Sequence, residues 1–375
     1  MKILSILGTR PEAIKLAPVI KELRARPATT ALLCTTGQHK ELLDPMLELF
    51  DLRPDAKLQL MRPDQSLNQL FGRMIAAIDE QLQHIEPDTV IVQGDTTTAF
   101  AATLAAFHRQ INVAYVEAGL RTHNLASPFP EEMNRQAISR IANLHFAPTT
   151  ANRANLLAEG IEDSRIFVTG NPVIDALKLI QAQIPAHQNE IASELMPYQW
   201  QPSTKRRMIL VTGHRRENFG QALEHTCSAL KHLIQVHPDL EIVFPVHLNP
   251  KTQATVQAML ADTERIWLIP PVGYRAFVWL MQQAWLIISD SGGVQEEAAS
   301  LGTPVLVTRQ NTERLEAIEA GTALVAGTTG TELVAMVNRL LKYPDQYRTM
   351  AQAKNPYGDG RAAIAIADIL EQQAL

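Results

Sequence analysis

The stretch Leu286-Ile287-Ile288-Ser289-Asp290-Ser291-Gly292-Gly293-Val294-Gln295-Glu296-Glu297-Ala298 sets the reading of the chain. A short apolar run ends in Ser-Gly-Gly and a helix starts at once. The two glycines let backbone N–H groups approach a phosphate closely, and Ser291 adds a hydroxyl donor. Glu297 follows about one helical turn later, where an acid can accept bonds from both hydroxyls of a ribose. A tight turn capped by serine explains the serine and one glycine. It does not explain the whole run, so phosphate binding is the favoured reading.

The same alternation of apolar run and amphipathic segment recurs from end to end. Candidate strands are 2–7, 31–35, 89–93, 112–116 and 166–168, then 208–212, 241–245, 266–269, 286–289 and 304–307. Segments of helical spacing, such as 13–24, 66–84 and 97–109, lie between them. Such alternation predicts parallel sheets with right-handed crossovers. Because it occurs twice, two doubly wound α/β domains are expected. The expected boundaries are 1–170 for the first, 171–205 for a helix and polar linker, and 206–358 for the second. A terminal helix within 359–375 follows the loop Asn355-Pro356-Tyr357-Gly358-Asp359-Gly360.

The composition fits a globular protein: 375 residues, 46% apolar and 19% charged, with net charge −5 and pI near 6.1. There is no basic excess to attract nucleic acid or an anionic membrane. Any cationic site must therefore be local. Two cysteines, Cys34 and Cys227, exclude a disulfide scaffold and a Cys-rich zinc module. No stretch approaches the ~20 apolar residues of a membrane span. The apolar start, Met1–Gly8, is too short for a signal peptide. A soluble cytoplasmic protein is expected.

Other strand ends carry candidate groups. Gly8-Thr9-Arg10-Pro11-Glu12-Ala13-Ile14-Lys15 follows the first strand, where a helix N-terminus flanked by Arg10 and Lys15 attracts anions. The competing reading is an ordinary turn with surface cations. Asp95, in Gln93-Gly94-Asp95-Thr96, is a helix cap or a ligand contact. Glu117, in Val116-Glu117-Ala118-Gly119, is an acid–base candidate. Glu131 and Glu132 follow Pro128-Phe129-Pro130 and suit the positive end of a helix. His214, Arg215 and Arg216 make a local cationic spot suited to phosphate. His247 belongs to a turn or a site. No metal motif, nucleophile elbow, P-loop or G-x-G-x-x-G is present.

Taken in order, these motifs resemble the non-hydrolysing UDP-N-acetylglucosamine 2-epimerases over essentially the whole chain. The resemblance implies a glycosyltransferase-B type fold, two Rossmann-like domains facing a cleft. It implies reversible conversion of UDP-N-acetylglucosamine to UDP-N-acetylmannosamine through UDP and 2-acetamidoglucal, for surface polysaccharide synthesis. It also implies a homodimer without metal or redox cofactor. Asp95, Glu117 and Glu131 match the family's acid–base carboxylates, with Asp95 as the expected C2 base. His214 matches its essential histidine. Arg10 and Lys15 match nucleotide-sugar contacts. Ser291, Gly292 and Gly293 match the diphosphate cradle, Glu297 the ribose contact, Phe277 the residue beside uracil, and Arg314 a further contact. Val272 and Gly273 stand where relatives often have Gln and Glu, which leaves a backbone contact to uracil but not a side-chain one.

Gln38, Arg215, Arg216 and His247 match an allosteric site for a second substrate molecule in some relatives. Glu41 and Asp64 replace neutral and positive groups there, which weakens a second diphosphate. Gln93 and Tyr115 stand where relatives commonly carry histidine, and Pro172 where threonine is usual. The alternatives are a glycosyltransferase of the same fold and a hydrolysing 2-epimerase. The first needs no set of carboxylates around C2.

Overall fold

The computed structural model describes residues 1–62, 64–198, 200–213, 220–309 and 314–373. Internal contacts divide the chain into two units. Unit 1 is Met1–Ala176 with Tyr357–Leu375, and unit 2 is Leu177–Pro356.

Unit 1 holds β1 (Lys2–Leu7), β2 (Thr30–Thr35), β3 (Ala56–Lys57), β4 (Thr89–Gln93), β5 (Asn112–Val116), β6 (Leu144–Ala147) and β7 (Ile166–Val168). They form one parallel sheet in the order β3-β2-β1-β4-β5-β6-β7. β1 and β4 read as near-continuous apolar runs because the sheet has helices on both faces, and both strands are almost wholly buried. Leu4, Ile6, Val90 and Val92 share a core with Met74, Ile78 and Leu82 of helix Leu67–Ile85 and the alanines of helix Thr97–His108. The strand order reverses between β1 and β4. Their carboxyl ends flank the crevice where ligands bind in such sheets.

Unit 2 repeats the scheme with β8 (Arg207–Thr212), β9 (Leu240–Pro245), β10 (Ile266–Ile269), β11 (Leu286–Ser289), β12 (Val305–Val307) and β13 (Ala323–Val325). The order is β10-β9-β8-β11-β12-β13, again all parallel, with the reversal between β8 and β11. Its core packs Ile209, Val211, Phe244, Ile288 and Leu306 against Leu230 and Leu233. Cys34 and Cys227 are buried free thiols, one in each core, and burial pushes both up to about 12.

The helix Ala362–Gln373 belongs to unit 1 and packs against helix Arg10–Arg24. Arg26 pairs there with Asp368 at 2.7 Å and Glu371 at 2.8 Å. No helix among the described residues is long and apolar enough to cross a membrane.

Three strands escaped the sequence reading. β3 and β13 are too short for a pattern to show, and β6 interrupts its apolar run with the buried His145. Strand 304–307 loses its first residue, because Pro304 has no N–H for the ladder; its carbonyl still accepts from Ile287. Segment 185–205, expected as linker, carries the helix Gln188–Leu195, which buries Ile191 and Leu195.

Candidate active site

In unit 1 the site grows from the ends of β1, β4 and β5. Thr9 caps helix Arg10–Arg24 and forms a capping box with Glu12. Glu12 Oε2 accepts from Gly8 N at 3.0 Å, Thr9 N at 2.8 Å and Thr9 Oγ1 at 2.8 Å. Its Oε1 accepts from Thr96 Oγ1 at 2.7 Å, which ties the loop after β1 to the loop after β4. Burial pushes the Glu12 carboxyl up to about 7, against the pull of these donors.

One turn further along that helix, Lys15 reaches Glu117 at 2.6 Å. Gln93 Nε2 donates to Glu117 Oε2, and Asn171 Nδ2 donates to Glu117 Oε1 at 3.2 Å. Glu117 is buried and sits at φ +64 in the turn after β5, a left-handed backbone that a side chain adopts only at a cost. Gly94, next to Asp95 in the chain, has φ +71. A Cβ there would stand 3.7 Å from Glu117 Oε2.

Helix Glu131–Ile141 holds the Asp95 loop. Asn134 Nδ2 donates to the Asp95 carbonyl at 2.8 Å, and Arg135 grips Asp95 Oδ2 through Nε at 2.9 Å and its terminal nitrogen at 2.6 Å. Glu131 starts the same helix. Its Oε2 is buried and has no hydrogen-bond partner among the described residues. Glu132 has a different task. It accepts from the N–H groups of Thr122 and His123 and from Arg135 and Gln136. Burial raises its pKa, but the donors from Gln136, Thr122 and Arg135 outweigh burial and hold it below the usual carboxylate range. Arg121 is committed to Glu159 at 2.6 Å.

In unit 2 the Ser-Gly-Gly run turns from β11 into helix Gly292–Leu301, with Ser291 as its N-cap. Ser291 N donates to Ser289 Oγ at 3.0 Å, which shapes the turn. Among the described residues nothing stands within 4 Å of a Cβ built on Gly293, so none of them covers its backbone. The Arg314 guanidinium lies over Gly292 and pairs with buried Glu296 at 2.5 Å. Glu297 accepts from the buried Tyr274 hydroxyl. Phe277, half-buried, sits on the same helix Tyr274–Gln283, and Val272 is buried just before it. Gly273 N donates to Glu194 Oε1 at 2.6 Å.

The sequence candidates thus fall into two groups. Lys15, Asp95, Glu117 and Glu131 gather at the β1–β4–β5 end of unit 1, with Arg10 half-buried at the start of its helix. Val272, Phe277, Ser291, Gly292, Gly293, Glu297 and Arg314 gather at the β11 end of unit 2. Gln38 is in unit 1 and accepts from Thr98 Oγ1 at 2.7 Å. His247 is exposed after β9 in unit 2. His214, Arg215 and Arg216 lie outside the described residues. No group of three metal-ligating side chains occurs among the described residues.

Sequence reading missed Glu12, Gln93, Arg135, Asn171 and Tyr274 as members of these networks. Only Glu12 had a local signal, the Thr9-x-x-Glu12 capping box. The others contact residues far away in the chain.

Two Rossmann-like parallel sheets, with the candidate groups at their carboxyl ends, define an α/β protein of the glycosyltransferase-B type. The family model for UDP-N-acetylglucosamine 2-epimerase matches residues 21–371. The UDP-N-acetylglucosamine 2-epimerase of Escherichia coli (strain K12) is 48% identical over 375 residues, covering 100% of both chains. The crystal structure of UDP-GlcNAc 2-epimerase from Neisseria meningitidis bound to UDP-GlcNAc is 42% identical, with TM-score 0.93 over 99% of this chain and 100% of that one. The Methanocaldococcus jannaschii UDP-GlcNAc 2-epimerase, in complex with UDP-GlcNAc and UDP, is 33% identical. Its TM-score is 0.83, again over 99% and 100% of the two chains. The chain belongs to the UDP-N-acetylglucosamine 2-epimerase family.

Proposed function

We propose that the protein epimerises UDP-N-acetylglucosamine at C2 to UDP-N-acetylmannosamine by eliminating UDP and adding it back. The observation that carries this reading is the presence of three carboxylates, Asp95, Glu117 and Glu131, at one end of unit 1. Asp95 is gripped by Arg135, Glu117 by Lys15, and Glu131 keeps an unpartnered oxygen. A glycosyltransferase of this fold needs no such set.

The C2 proton of the sugar is weakly acidic, so it leaves together with UDP. Asp95 takes the proton, the C1–O bond to UDP breaks, and a C1=C2 double bond forms in 2-acetamidoglucal. Glu117 and Glu131 serve proton return to the other face of C2, and a UDP oxygen then rejoins C1. The Ser291 hydroxyl and the N–H groups of Gly292 and Gly293, with Arg314 beside them, stabilise the departing diphosphate. Glu297 holds the ribose, and Phe277 with the Val272 backbone faces uracil. Arg10 is assigned to the nucleotide sugar, and His214 to the diphosphate and sugar. Gln38, Arg215, Arg216 and His247 match the second-substrate site of some relatives, and Glu41 and Asp64 count against allosteric activation in this chain. The family resemblance supports a cytoplasmic homodimer whose product feeds surface polysaccharide synthesis.

Proton NMR of the protein with UDP-N-acetylglucosamine in deuterium oxide tests the reading. The expected result is a UDP-N-acetylmannosamine anomeric signal with deuterium at C2. Free N-acetylmannosamine would instead assign a hydrolysing enzyme.

A further inference from the structure

The motifs Thr169-Gly170-Asn171-Pro172 and Asn355-Pro356-Tyr357-Gly358-Asp359-Gly360 have no part in the chemistry assigned above. In the structure Gly170 and Asn171 of the first meet Tyr357 and Gly358 of the second within unit 1. The chain leaves that unit after Ala176 and re-enters it at Tyr357. Asn171 N donates to the Tyr357 carbonyl at 2.8 Å. Gly170 and Gly358 pass backbone to backbone: a Cβ on Gly170 would stand 3.1 Å from the Tyr357 carbonyl oxygen and 3.3 Å from Gly358 Cα. Both glycines have positive φ, +83 and +107, so a side chain at either would strain the backbone and force its close neighbour to shift.

Asn171 is 1% exposed at this junction. Its Oδ1 accepts from Val173 N at 3.2 Å, which settles the orientation of the amide. The Nδ2 then faces Glu117 Oε1 at 3.2 Å. On the same carboxylate, Lys15 lies at 2.6 Å from Oε1 and Gln93 donates to Oε2. A side chain fixed by its own backbone turn thus joins the chain crossover to a carboxylate of the reaction.

We propose that Asn171 is a positioning residue for Glu117, joining the paired crossover loops of unit 1 to proton transfer at C2. The proposal rests on the epimerase reading. Hydrogen bonds to charged groups are worth ~1.5–3 kcal/mol. Removing one that acts on the reaction therefore slows it roughly 10- to 100-fold.

The test uses the full chain, with three readouts: C2 deuterium exchange, UDP binding by calorimetry, and thermal unfolding. Asn171→Ala is expected to slow exchange roughly 10-fold or more while the UDP affinity of unit 2 stays within about twofold. Asn171→Asp keeps the acceptor for Val173 N but turns a second carboxylate toward Glu117 and Lys15. Repulsion between the two acids favours protonation of one, and the protonated acid regains an O–H donor. Exchange by this variant is therefore expected to recover as pH falls, relative to wild type. A purely structural role would lower the unfolding temperature without moving the pH profile. Wild-type exchange rates in Asn171→Ala, or an Asn171→Asp profile that superimposes on wild type after scaling, would overturn the proposal alone. Absence of C2 exchange in the wild-type protein would overturn it together with the epimerase reading.

Discussion

Lys15 Nζ lies 2.6 Å and 2.7 Å from the two carboxylate oxygens of Glu117. The lysine rises from the helix after β1 and the glutamate from the turn after β5, on the two sides of β4. Both side chains are nearly buried, at 11% and 6% exposure. Each therefore neutralises a charge that could not otherwise be kept out of water.

Breaking this pair from one side leaves a buried charge. Lys15→Met is expected to cost about 3 kcal/mol of stability in urea unfolding. Adding Glu117→Gln should return a large part of that loss, because the remaining partner is then neutral. Strictly additive losses in the double variant would show that the two groups are not coupled.

Asp95→Asn is nearly isosteric, and its amide oxygen still accepts from Arg135. The fold is expected to survive while exchange of the C2 proton with solvent deuterium falls by at least ~100-fold. Undiminished exchange removes Asp95 from the role of base.

Glu12 makes stability depend on pH. Its carboxyl is raised from 4.5 to about 7 by burial, so the folded state holds the proton more tightly than the unfolded chain. Its contribution is fully present below pH ~4.5 and is lost as pH rises through about 7, amounting to about 3 kcal/mol. Glu12→Gln can accept from Gly8 and Thr9 through its oxygen and donate to Thr96 through its nitrogen. Urea unfolding from pH 4.5 to 8 should show a falling component in the wild type that this variant lacks. Parallel curves would place the titration elsewhere.

Arg314 lies over Gly292 and pairs with Glu296. Arg314→Ala is expected to weaken UDP binding roughly 10- to 100-fold in calorimetry, through loss of a charge-assisted donor beside the diphosphate cradle. Arg314→Lys should restore only part of it, since a point charge cannot reproduce the guanidinium fork. Unchanged UDP affinity in Arg314→Ala would remove the residue from the nucleotide site.

Much of the architecture was legible because a buried parallel strand announces itself locally. β1, β4, β5 and β11 lie where their apolar runs predict. Asp95, Glu117 and Ser291 stand just beyond such runs, and chain connectivity alone delivers a residue there to the carboxyl edge of a sheet. β3 and β13 escaped because two or three residues hold no pattern.

The amino-acid order by itself determined the two α/β repeats, the strand ends that carry the candidate groups, and the Ser-Gly-Gly turn. Each of these depends on neighbours within a few residues. The tertiary structure decided the partners. Lys15 meets Glu117 across 102 positions, Arg135 meets Asp95 across 40, and Asn171 meets Glu117 across 54. Those pairings depend on the sheet order, which seats β1 beside β4 and β4 beside β5 for the first two and carries the chain through β6 to β7 for the third. That order minimises exposed apolar surface over the whole unit, and no local stretch of sequence encodes it.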